Sequence, residues 1–150
     1  MREKFDEYLP VIEITPPLRM RIENIHKICM MFCPDAIEDI FISEYSSEDG
    51  TRTYESIFWF SSSYILEAKQ FTSQYNFDIT PLNAVIYYEL QAQEYDFERA
   101  TDRSRLTVNA RFGALSMAAQ LRGSKQNCNY LKNIIVKYLK NNINACRSTR

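Results

Sequence analysis

This chain is short of the residues that most active sites are built from. It has one histidine, His26, one tryptophan, Trp59, and three glycines in 150 residues. A single imidazole removes the usual general base and most metal chemistry, and so few glycines argue against a Gly-rich phosphate loop. No apolar run approaches the roughly 18–20 residues that span a bilayer. The opening stretch MREKFDEYLP is charged without an apolar core, which is unlike a secretory signal. These absences point to a cytoplasmic protein. Acidic side chains are also missing from one end, since none follows Asp102.

What is present suits a soluble globular protein rich in β-structure. Hydrophobic residues make up 45% of the chain and charged ones 25%, with ten Tyr and nine Phe. A chain of this length fits one domain able to bury a core without staples. Cys29, Cys33, Cys128 and Cys146 do not form a zinc set, because there is no second close pair. They are expected to be buried or free thiols, and His26 a satisfied histidine at the edge of the core. No cofactor is implied.

Hydrophobic periodicity divides the single domain 1–150 into three parts. Residues 1–34 hold an N-terminal arm or short helix, then a helix introduced by Thr15-Pro16-Pro17 and stopped by Cys33-Pro34. Its apolar stripe is Leu18, Ile22, Ile25, Cys29 and Phe32. Residues 35–123 change to a period of two. Strands are expected at Ile37–Tyr45, TYESIFWF, SYILEAKQF, NFDITPL, AVIYYELQAQEYDF, SRLTVNARF and ALSMAAQL. Asp49-Gly50 marks a hairpin, and Pro81 makes NFDITPL an edge or a terminus. ALSMAAQL reads better as strand than as helix. Residues 124–142 form a C-terminal helix capped by Ser124. Its apolar side carries Cys128, Leu131, Ile134, Ile135, Tyr138 and Leu139. The last residues, from Asn141, are expected to fray.

Seven strands in meander order followed by one amphipathic helix resemble the pleckstrin-homology superfold, in particular small bacterial pleckstrin-homology-like domains. The resemblance covers Asp35 to Asn142, with an extra helix in front, and implies an α+β fold: a strongly bent seven-stranded antiparallel sheet or partly open barrel. Lipid-binding members carry Lys and Arg between the first two strands, whereas this loop has Glu44, Glu48 and Asp49 against Arg52. The resemblance therefore implies a scaffold rather than a ligand. A helix-grip fold, with an apolar cavity lined by Trp59, Tyr87 and Phe112, is the alternative.

Charge is steeply segregated. Residues 1–34 carry five basic and five acidic side chains, residues 35–102 three and fourteen, and residues 103–150 ten and none. The basic third could be neutralised within the chain, or it could form an interaction surface from Arg103, Arg105, Arg111, Lys125, Lys132, Lys137 and Lys140. The partners considered are another protein or a second copy of the chain, with nucleic acid or anionic lipid as the alternative. Paired acids such as Glu38-Asp39, Glu48-Asp49 and Glu94 with Asp96 lack a base or metal partner, and Ser61-Ser62-Ser63 lacks the glycines of a nucleophile elbow. The chain therefore reads as a non-catalytic interaction or self-assembly module.

Overall fold

The computed structural model describes residues 2–69, 76–95, 99–113 and 117–140. Two helices open the chain, α1 (Arg2–Val11) and α2 (Pro16–Phe32). Helix α2 begins and ends where the prolines dictate. Thr15 sits extended at the N-cap, and Cys33 turns extended ahead of Pro34. Ile22, Ile25 and Cys29 are buried, but Phe32, the last helical residue, is 68% exposed, so the apolar stripe stops a turn earlier than its period implies. On α1, Phe5, Tyr8 and Leu9 share one face and are buried, as is Ile12 in the turn that follows.

Seven antiparallel strands follow in two sheets. β1 (Asp39–Ser46), β2 (Arg52–Phe60), β3 (Tyr64–Lys69) and β4 (Asn76–Pro81) pair in chain order, and β5 (Val85–Gln93), β6 (Arg105–Phe112) and β7 (Met117–Ser124) pair likewise. The single bent sheet or partly open barrel expected from the sequence is thus two sheets, neither of them closed. Pro81 cannot donate to a ladder, and the 3-10 turn Leu82–Ala84 carries the chain out of the first sheet. The β1–β2 turn forms around Asp49, whose carboxylate accepts from Ser47 Oγ and from Thr51 N at 2.9 Å. Gly50 takes a left-handed φ of 87° there. Parts of three expected strands, residues 70–71, 96–97 (with Asp96) and 114–116, lie outside the described set, as does the tail from Asn141 with Cys146.

Helix α3 (Asn127–Ile134) runs on into a π-helical turn, Ile135–Lys140. All six apolar residues expected to face inward are buried. Ser124 does not cap this helix, as its hydroxyl is taken by Glu44 of β1 at 2.7 Å, and Gln126 occupies the N-cap without a side-chain capping bond. Gly123 allows the close approach of β7 to α3, since a Cβ there would lie 3.0 Å from the Asn127 carbonyl oxygen.

The first sheet is covered on both faces, which explains why Ile57, Phe58, Trp59 and Phe60 are all fully buried in succession. On one side Phe60 stacks on Tyr138 with centroids 4.8 Å apart. On the other, Trp59 stacks on His26 of α2 at 6.2 Å. Helix α2 therefore covers that face of the sheet, and α1 packs at the β1 edge, so the N-terminal residues are not a free arm.

Candidate interaction surface

The seam between the two sheets is closed by side chains instead of a backbone ladder. Ser43 Oγ on β1 accepts from Arg122 N on β7 at 2.8 Å. Glu44, fully buried, accepts from Ser124 N at 2.6 Å and from Asn127 Nδ2 at 3.3 Å. Arg52 of β2 supplies the countercharge, its Nε 3.4 Å from Glu44 Oε2, while its Nη1 donates to the Ile12 carbonyl. The outward backbone of Ile42 is met in turn. Its N–H donates to Tyr8 Oη at 2.9 Å, and its carbonyl accepts from Asn127 Nδ2 at 3.0 Å. Tyr8 completes the chain by donating to Asn127 Oδ1 at 2.8 Å. Burial drives its phenol well above the ordinary range. At Ile42, then, this edge of β1 has no free backbone group to offer a partner.

The basic third is partly neutralised at home. Arg122 pairs with Glu55 of β2, its Nε 2.9 Å from Oε2, and stacks over Tyr45. Lys125 Nζ lies 3.9 Å from Glu13. Lys137 reaches Asp39 at 2.7 Å and Glu38 at 3.4 Å, and the hydrogen bond to Asp39 raises its ammonium above the usual value. Burial alone would raise Asp39, but hydrogen bonds from Lys137, Tyr138 and Lys4 together hold it below the ordinary carboxylate value. Lys132 is half-buried on α3, and Lys140 is exposed at the last described position. Among the described residues, Arg103, Arg105 and Arg111 have no carboxylate within 4.0 Å. Arg105 instead donates from Nη1 to the carbonyls of Asp102 at 3.0 Å and Ser104 at 2.8 Å.

Three of the seven basic candidates share a cleft of about 700 Å³ at one end of the molecule. Arg103, Arg105 and Lys125 line it together with Glu48, Glu94 and Asp102. Glu94 and Lys125 adopt left-handed φ angles of 46° and 53°, uncommon for residues with a Cβ. Carboxylates balance the cations here, so the cleft is not a basic patch. Arg111 stands apart on β6, beside Tyr87 and Ala118 in register. Lys137 is engaged at a third place, a groove between α1 and α3 that also holds Lys4 and Tyr130. The structure does not gather the seven into one surface.

The feature that sequence reading passed over is the outer edge of β5. Among the described residues β5 pairs only with β6, and β4, its predecessor in the chain, belongs to the other sheet. Natural sheets protect such edges with short strands, proline or charge. β4 uses all three: it is six residues long, ends in Pro81, and carries Asp78, ion-paired to Lys69 at 3.0 Å. β5 has nine residues, no proline, and Glu89 as its only charge. Tyr87 is 49% exposed and Leu90 47%, one on each face by alternation. The ladder to β6 is regular from Tyr87 to Gln93. The signal in the sequence was the near-absence of charge in VIYYELQAQ, which reads equally well as a buried strand.

Two further expectations can be placed. Trp59 faces α2, Tyr87 is half-exposed on β5 and Phe112 is buried at the end of β6, so these residues line no common cavity. The chain joins its first two strands by a hairpin without helices, and the helix-grip alternative is set aside. Cys29, Cys33 and Cys128 are free thiols, and burial raises those of Cys29 and Cys128 to about 12. Among the described residues no group of three or more His, Cys, Asp or Glu side chains is placed to hold a metal. Also among them, no helix is long and apolar enough to cross a membrane. Compared with protein-family models, curated proteins and solved structures, the chain matches none.

Proposed function

We propose that this chain is a non-catalytic, cytoplasmic interaction module on a pleckstrin-homology-like scaffold, which takes an extended segment of another polypeptide onto the free edge of β5. The four-plus-three strand order with its C-terminal helix supports the scaffold. The observation that carries the function is the unprotected nine-residue edge, set against a β1 edge on which both backbone groups of Ile42 are satisfied.

An added strand would bond its backbone to β5 and lay alternate side chains on two faces. One face presents Tyr88, Leu90 and Ala92, and suits apolar residues. The other presents Tyr87, Glu89 and Gln91, where a Lys or Arg opposite Glu89 gains a cross-strand pair worth roughly 0.2–1 kcal/mol. The added segment is a strand of a partner protein or β5 of a second copy.

The test is selection of binders from a displayed random peptide library on the intact chain. The reading expects peptides with alternating apolar residues whose affinity falls about tenfold or more with Leu90→Lys, which places a charge on the edge. Peptides indifferent to Leu90→Lys would overturn it. Retention on heparin or anionic vesicles, lost when Arg105, Arg111 and Lys132 become Glu, would point instead to nucleic acid or lipid.

A further inference from the structure

The only imidazole and the only indole of the chain are bonded to each other. His26 sits half-buried on α2, between the ring of Phe5 on α1, with centroids 5.3 Å apart, and that of Trp59 on β2. The Trp59 Nε1–H donates to His26 Nδ1 at 2.8 Å. A neutral imidazole has one donor and one acceptor nitrogen, so this bond fixes the proton of the neutral ring on Nε2. Protonation would put a second hydrogen on Nδ1, where the indole N–H already points. The fully buried Trp59 would then lose the one hydrogen-bond acceptor it has among the described residues.

We infer that His26 is a proton-sensitive latch that holds α2, and through Phe5 its neighbour α1, against the first sheet. Among the described residues no charged group is placed to favour its cation. On α2, Glu23 is engaged by Arg19 at 3.0 Å, and Lys27 is exposed. On α1, Asp6 is engaged by Arg19 at 2.6 Å and Lys4 by Asp39 at 3.2 Å. β2 contributes the indole, backed by Phe77 of β4. Among the described residues no carboxylate lies within 4.0 Å of the imidazole.

Burial, with a smaller effect of the positive amino terminus, lowers the proton affinity of His26 below its ordinary value of 6.5. The direction of the pH dependence follows. Above 6.5 the ring is neutral whether the helices are docked or released, and the bond is intact. As pH falls below 6.5 the released ring takes up a proton first, and docking weakens until the docked ring titrates as well.

Trp59 is its own reporter. Its fluorescence, followed from about pH 8 to about pH 5, is expected to change with a midpoint below 6.5. Over the same range, amides of α1 and α2 should lose protection from hydrogen exchange about tenfold or more, after correction for intrinsic rates, while those of β6 and β7 keep theirs. His26→Asn offers an oxygen near the position of Nδ1 and takes up no proton, so its curve should be flat with native emission. His26→Phe keeps a ring but removes the acceptor, and its emission at neutral pH should match the acid form of the wild type. Three results would overturn the latch: a flat wild-type curve, the same transition in His26→Asn, or loss of β6 and β7 protection in step with the helices. If His26→Phe does not fold, the first two proteins decide. Leu90→Lys should leave the transition unchanged, which keeps this test separate from strand addition.

Discussion

The edges of β1 and β5 are treated in opposite ways. At β1, Tyr8 from α1, Asn127 from α3, and Ser43 and Glu44 from β1 itself leave no outward backbone group of Ile42 unmet and bind β7 across the seam. At β5, nine residues with one charge face outward and, among the described residues, nothing pairs with them. A sealed edge makes the fold one body, and an open edge is available to something else. Substitutions at the first should therefore cost stability, and substitutions at the second should cost binding.

The largest effect is expected at Glu44. Its removal as Glu44→Ala leaves the buried Arg52 guanidinium with only the exposed Glu13 carboxylate at 3.6 Å and strips Ser124 N and Asn127 Nδ2 of their acceptor, for about 3–5 kcal/mol. Chemical denaturation would measure this, and replacing both Glu44 and Arg52 with apolar residues should recover much of the loss. Next is Tyr8→Phe, which orphans the Ile42 N–H and Asn127 Oδ1 and should cost about 1–3 kcal/mol, also read by denaturation. Smaller is Lys137→Ala at the cluster around Asp39, worth under about 1 kcal/mol because the lysine is half in solvent. Asp39 is held below its ordinary value of 3.8, so this stabilisation is present above 3.8 and lost as pH falls through the folded-state value. Acid titration of wild type and Lys137→Ala should therefore converge below about pH 4. Leu90→Lys on the open edge should move stability by no more than about 0.5 kcal/mol. If it instead unfolds the protein, the edge is structural and the contrast fails.

The sequence announced local structure well and long-range structure poorly. Thr15-Pro16-Pro17 and Cys33-Pro34 bound α2 where their backbone preferences require, and alternation located all seven strands, because these signals act over a few residues. Glu44 sits in β1 in line with Ile40 and Ile42, yet its partners Ser124 and Asn127 lie some eighty residues away, beyond any local pattern. Ser124 looked like a helix cap for the same reason. Nothing in the aromatic-rich pattern of β5 marked it as an edge, although its position at the margin of a three-stranded sheet leaves Tyr87 and Leu90 half in solvent. Segregated charge was read correctly from composition, but only the fold reveals that Arg122, Lys125 and Lys137 find acids within the chain. It also reveals that the seven basic candidates are spread over several places.

Hydrogen exchange at single-amide resolution on β5, with and without a selected peptide or at concentrations that favour a second copy, tests the central claim most directly. Strand addition predicts that alternate amides between Tyr87 and Gln93, those pointing away from β6, exchange freely in the isolated chain and become protected on binding, with the β1 edge unchanged. Protection confined to α2 or to the cleft around Arg103 and Lys125, with β5 still exchanging freely, would contradict it.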